Sequence, residues 1–465
     1  MSADAGFGSL EPLSAAPSRR ALLAGSGGFG LLALAGLLGR PRPAVAGPVT
    51  PAGGSGGAAP HFTPRAKRLI FVHLNGAVSQ HDTFEYKPLL QQNDGRPGPN
   101  GGRLVASKFR FSQHGETGSW FSELLPNVAR HADSLCWLRA LHTDTPAHPQ
   151  AVVQLHTGSA NAALTRPSMG AWLLYGLGSD CEAVPGYITI NPPPNFGGAV
   201  NFGSAFLPAH FQGTRIDDRG RFPNITPPLG PRSQRRQIDF IQDLNRQAAT
   251  DIGAPDVVAG VIESFEQGFR MQDRLPELLD ISREPAWLQT AYGVDRSETA
   301  SFARQCLMAR RLSEAGVRFV EICQPGWDHH NNLHKGLVER CGSVDQPIGA
   351  LLTDLRQRGL LSETLVLCGS EFGRQPTAQG PDGRDHNITG YPMFLVGAGV
   401  KPGFSHGATD EYGVHAVEGR MHTNDLHATL LALMGIDHER LTYPYAGRDF
   451  RLTDVAGRVA YDIFA

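Results

Sequence analysis

Apolar residues fall along this chain in two rhythms. Short continuous runs occur at Arg68–Leu74, Val317–Ile322, Thr364–Cys368 and Pro392–Val396. Runs of this kind bury both faces and read as strands of a parallel sheet. Between them lie stretches whose apolar residues recur every three or four positions. The clearest are Glu298–Ser313, Asp345–Arg358 and Asn424–Met434, which read as amphipathic helices. A short helix is expected over Phe121–Ala129 and a strand over Ser134–Leu138. Strands alternating with helices predict an α/β fold, a doubly wound, mostly parallel sheet with helices on both faces. No internal repeat interrupts that pattern.

Polar residues with coordinating chemistry collect where the apolar runs stop. The run ending at Ile322 leads into Gln324–Asn332, which carries Asp328 and His330. The run ending at Leu74 leads to Asp82, and the one ending at Cys368 leads to Glu371 and then His386. Parallel strands bring such loops to one edge of the sheet, where ligands of open α/β folds bind. Each residue alone has an ordinary use, as a helix cap, a turn residue or a core histidine. Five carboxylate and imidazole groups expected on one edge point instead to a shared divalent metal such as zinc.

Composition narrows the picture. The chain has 465 residues and a formal net charge of -2, with no basic block, so nucleic acid is not an expected partner. Gly 55 and Pro 34 fit long loops on an α/β scaffold. The six cysteines form no Cys-x-x-Cys pair, which removes zinc-knuckle and thioredoxin-type readings; a disulfide among them stays open.

The first 46 residues read as a Tat signal peptide. Arg19 and Arg20 form the twin arginines, a Gly/Ala/Leu-rich run follows, and Ala44-Val-Ala46 supplies a small-residue cleavage site. The apolar run is short for a spanning helix, so no stable membrane span is expected. The Tat export machinery is therefore an expected partner and the periplasm or exterior the expected location. Residues 47–66 read as a flexible Gly/Pro/Ala-rich linker. One domain is expected over 67–465, with an irregular and then helical insertion at about 192–300 that lies over the active edge or forms a plain surface excursion.

Several motifs together resemble one family. Asn75–Pro88 is similar to the signature Gly-Gly-x-Ser-x-x-Asp-x-Phe-Asp-x-Lys-Pro. His142-Thr-Asp144, His148, Thr165–Gly178, Gly326–His330, Glu371–Arg374, Gly383–His386 and Tyr445–Thr453 follow in the expected order. On these the chain is identified as a member of domain-of-unknown-function family 1501, commonly Tat-exported and placed in the alkaline phosphatase and sulfatase superfamily. The resemblance implies metal ligation by Asp82, Asp328, His330, Glu371 and His386. Phe372 stands where two-zinc phosphatases have a further ligand histidine, which leaves room for one metal, or for calcium bound mainly by oxygen.

The resemblance also implies a nucleophile at a helix start, where Thr143 and Thr145 are both candidates. Helix capping is the ordinary use of the same residues. The sulfatase pattern Cys-x-Pro-x-Arg is absent, which disfavours a formylglycine mechanism. His148 would move a proton or meet the leaving group. Arg374 or Arg384 would hold a substrate oxygen, unless either is a salt-bridge partner. The expected function is an exported metal-dependent hydrolase of phosphate or sulfate esters, acting on a small ester or a sulfated or phosphorylated glycan. The alternative is a non-catalytic exported protein that binds a metal or ligand with the same fold.

Overall fold

A computed structural model describes residues 59–465, except 100, 162–163, 182, 224, 226–229 and 253–254. The expected signal peptide and most of the expected linker lie outside the described residues. The central sheet runs in the order Ser405–His406, Cys136–His142, Tyr391–Gly397, Thr364–Gly369, Arg68–Asn75, Phe319–Pro325, Tyr187–Ile190 and Thr214–Ile216. Met421–His422 pairs with Cys136–His142 off this path. Tyr391–Gly397 alone runs antiparallel, against both of its neighbours. The fold is thus the mostly parallel α/β sheet with helices that the apolar rhythm predicts.

Alternation along the strands separates two core layers. Ile70, Val72 and Leu74 face one layer and Leu69 and Phe71 the other, all essentially buried. The first layer is closed by the helices Ala300–Glu314 and Leu333–Gln357. Phe302, Cys306, Leu307 and Ala309 of the former are fully covered. Each such leucine or phenylalanine contributes roughly 1.5–3 kcal/mol. The second layer is closed by His148–Thr157, Met169–Leu177 and Thr423–Leu433.

Three local expectations change. Ser119–Ser122 is a strand and only Pro126–Ala129 is helical, because Pro126 starts the helix at its first position. The strand expected at Ser134–Leu138 runs from Cys136 to His142. The irregular stretch before the long helices Pro231–Ile252 and Pro255–Leu279 contains Thr214–Ile216, an edge strand of the main sheet. Among the described residues no helix is long and apolar enough to cross a membrane, and all six cysteines are free.

Candidate metal centre

Three parallel strands and a hairpin converge on one point. Phe319–Pro325 ends in the loop holding Asp328 and His330. Cys136–His142 leads to His148, the first residue of its helix. Thr364–Gly369 leads to Glu371 and then into the hairpin Gly373–Gln379/Gly383–Asn387, which delivers His386. The loops pack tightly. Gly76 has φ +117°, and a Cβ there would lie 2.7 Å from the Asp328 amide nitrogen. At Gly383 a Cβ would overlap the His330 carbonyl. Glycine is what lets both loops close on the site.

His148, Asp328, His330 and His386 form a group whose ligand atoms all lie within 4.8 Å of one another. Asp328 Oδ1 is 3.1 Å from His148 Nε2, 2.9 Å from His330 Nε2 and 3.5 Å from His386 Nε2. The other nitrogen of each ring is already held. His148 Nδ1 donates to Glu371 Oε1 at 2.6 Å, His386 Nδ1 to the Pro146 carbonyl at 2.6 Å, and His330 Nδ1 to Gln379 Oε1. The Glu371 carboxylate and the Pro146 carbonyl have no proton to give, so Nδ1 of His148 and of His386 carries the hydrogen and each neutral Nε2 presents a lone pair; with Gln379 Oε1 as its acceptor, His330 has the same tautomer. The Nε2 atoms of His330 and His386 face each other at 2.8 Å. Two bare lone pairs at that distance repel unless a cation or an extra proton lies between them. Outer acceptors that fix the tautomer of inward-facing imidazoles are the usual surroundings of a metal site. The residues present therefore fit a divalent ion.

Electrostatics agree. Burial opposes the charge on Asp328, but with no ion between them the His148 and His386 rings meet it as imidazolium, and together with the Arg374 hydrogen bond they hold its carboxyl far below the usual range. Burial also opposes the charge on Glu371, yet His148 and His73 bring its pKa down to about 2. Burial lowers His148, and its bonds to Asp328 and Glu371 outweigh that and raise it. Phe372 stacks on His148 at 4.6 Å between ring centroids, and Phe196 stacks on it at 5.2 Å. Phe372, the residue that departs from the two-zinc phosphatase pattern, thus braces His148.

Several expected site residues stand elsewhere. Asp82 does not join the group: it is buried, accepts from Ser79 at 2.5 Å and pairs with Arg384 at 2.8 Å. Glu371 stands behind His148 and also accepts from the Gly76 amide at 3.0 Å, so it orients the His148 ring instead of joining the group. Arg374 is fully buried, with its donors on Asp328 and the carbonyls of Gly76, Ala77, Trp327 and Arg384. Arg384 is equally buried on Asp82, Val105 and Gln375. Every guanidinium nitrogen of both arginines is engaged inside the protein, and neither side chain reaches solvent. Thr143 donates to Gln154 Oε1 at 2.9 Å. Thr145 accepts from the Ala147 amide at 3.2 Å and precedes Pro146, whose carbonyl holds His386.

Sequence reasoning gave His148 a proton-moving role and missed it as a member of the group. The available signal was its position at the first helical residue after a strand, the same grammar that marked Asp328. A cleft of about 480 Å³ adjoins Asp328, lined among others by His329, Lys335, Glu339 and Arg340. Among the described residues no carboxylate pairs with Arg340, which donates to the Pro325 carbonyl at 3.4 Å.

The chain belongs to the family described as "Protein of unknown function (DUF1501)", whose model matches residues 66–464. No curated protein matches it. Among solved structures it is similar to the lipoteichoic acid synthase LtaP from Listeria monocytogenes, at 10% identity and TM-score 0.39, covering 86% of this chain and 76% of that one. It is similar to the PsFucS1 sulfatase from Pseudoalteromonas sp., at 14% identity and TM-score 0.38, covering 80% and 68%. It is similar to the alkaline phosphatase of the Antarctic bacterium TAB5, at 10% identity and TM-score 0.35, covering 80% and 98%. These likenesses are too loose to assign a residue or a reaction.

Proposed function

We propose that His148, Asp328, His330 and His386 bind one divalent cation and that the protein hydrolyses a phosphate or sulfate ester beside it. The observation that carries this reading is the convergence of three Nε2 atoms on one carboxylate, with all three Nδ1 atoms held from outside. Three imidazoles and one carboxylate suit zinc better than calcium, which takes oxygen ligands. Such an ion would polarise an ester oxygen and stabilise developing negative charge.

The chain's own residues supply the rest. Arg374 neutralises Asp328 from below at 2.6 Å and fixes its orientation. Arg340 and Lys335, on the cleft wall, would hold the anionic group of a small ester or of a phosphorylated or sulfated glycan. Thr145 is the favoured nucleophile because the Thr143 hydroxyl is tied to Gln154. Asp328, His330 and His386 keep side-chain exposures of 37%, 33% and 15%, so substrate has an approach from solvent.

The test uses purified chain with measured metal content and generic aryl phosphate and aryl sulfate esters. Turnover should vanish on chelation and return with zinc, and Thr145→Ala should keep metal but lose turnover while Thr143→Ala stays active. Fully loaded protein that turns over neither ester would overturn the hydrolase. It would favour the second reading, a non-catalytic metal- or ligand-binding protein, for which the full internal use of Arg374 and Arg384 speaks. Export through the Tat route is part of the same proposal, carried by Arg19 and Arg20. Changing both to lysine should retain the precursor in the cytoplasm, and unchanged periplasmic yield would refute it.

A further inference from the structure

Beneath the proposed centre lies a second cluster, entirely inside the second core layer. His73 and Glu321 come from adjacent parallel strands and His156 from the helix that covers them. Their exposures are 0%, 1% and 2%. Their ligand atoms lie within 4.8 Å of one another. Phe71 pairs with Glu321 and His73 with Cys323 in register, so all four side chains share one face of the sheet.

We infer that His73, His156 and Glu321 bind a second divalent cation, of the zinc type, with Cys323 as the nearest further donor. The first ground is again the tautomer. His156 Nδ1 donates to the Val152 carbonyl at 2.7 Å, so its neutral Nε2 is a bare lone pair, yet it faces Glu321 Oε1 at 2.8 Å. A lone pair does not face a carboxylate oxygen at that distance without a positive charge between or upon them.

The second ground is spacing. His73 Nδ1 stands 3.6 Å from Glu321 Oε1 and 4.0 Å from Cys323 Sγ. The first separation is long for a hydrogen bond. It matches two ligands of one tetrahedral ion, which at bonds of about 2.0–2.2 Å sit roughly 3.4 Å apart. The third ground is charge. Glu321 and Glu371 are both buried, and among the described residues neither has a lysine or arginine at ion-pair distance. His73 Nε2 has no hydrogen-bond partner and lies 3.5 Å from Glu371 Oε2. Two imidazoles, one carboxylate and a nearby thiol form a nitrogen, oxygen and sulfur set that suits zinc. Thr189 donates to the remaining Glu321 oxygen at 3.1 Å and would orient it as an outer partner.

The experiment counts metal in the full chain by elemental analysis. Wild type should carry two zinc ions per chain, Glu321→Gln one and Asp328→Asn one. A wild type with a single ion, lost in Asp328→Asn and retained in Glu321→Gln, overturns the deep site and leaves the proposed function standing. No ion in wild type overturns both. Should Glu321→Gln fail to fold, anomalous diffraction from wild-type crystals at the zinc edge reads the site directly. A peak between His73, His156 and Glu321 supports the inference, and a peak at Asp328 alone overturns it.

Discussion

The protein holds two clusters of imidazole and carboxylate that differ in where they sit. One lies at the rim of the sheet, where Asp328, His330 and His386 are partly exposed and Asp328 also lines a cleft. The other, His73, His156 and Glu321, is sealed within the core. Both have rings whose outer nitrogen is held by an oxygen acceptor, which turns the inner lone pair toward a carboxylate. The difference lies in access. Only the rim cluster is open to solvent; the deep one is sealed from it. Glu371 joins them, bonded to His148 on one side and 3.5 Å from His73 on the other.

The sharpest way to break this comparison is at Asp328. Asparagine there keeps the shape but removes the charge on which three imidazoles and Arg374 converge. Rim metal affinity should fall by more than the roughly 10–100-fold typical of losing an outer partner, and turnover should fall with it. The fold should persist, because Asp328 is half exposed on a loop. Unchanged metal affinity measured by competition titration would remove Asp328 from the centre of the rim cluster.

Glu371→Gln probes the link between the clusters. Its amide oxygen would still accept from His148 Nδ1, while the charge that pairs with both His148 and His73 would go. Affinity at the rim should drop by roughly 10-fold, within the range for outer partners. A loss as complete as that in Asp328→Asn would make Glu371 a direct ligand, as the sequence motif alone suggested.

That contrast marks what the sequence carried. The sheet was legible because Arg68–Leu74, Val317–Ile322 and Thr364–Cys368 are predominantly apolar and end in polar loops. Asp328, His330 and His386 were legible because they sit at those ends. Three things were not. Glu371 and His148 exchange roles because the outcome depends on which ring nitrogen faces inward, a matter of packing around Phe372 and Phe196. Arg374 and Arg384 read as substrate forks until their burial and carbonyl partners are known. His73 and Glu321 each lie within an apolar strand, so only the parallel register brings them together.

The smallest effect concerns a neighbouring imidazole that has no carboxylate. His427 is fully buried in the same layer and its Nε2 donates to the Leu155 carbonyl at 2.8 Å. Burial is the main cause that lowers its pKa to about 4, with the Leu155 bond opposing. The unfolded chain takes up this proton near pH 6.5 and the folded chain only near 4. The contribution to stability is therefore complete above about 6.5 and is lost as pH falls toward 4, in total about 3 kcal/mol. His73 has the opposite sign: burial lowers it, but the Cys323 thiol and the Glu321 and Glu371 carboxylates beside it prevail and raise it well above the ordinary value. In metal-free protein its contribution is complete below about pH 6.5 and is lost as pH rises through the folded value. Denaturant midpoints measured between pH 4 and 6.5 should thus fall with pH in wild type and fall less in His427→Gln. Parallel slopes in the two proteins would mean that His427 takes up its proton as readily in the folded chain as in the unfolded one, and the distinction between lone and carboxylate-paired imidazoles in this layer would fail.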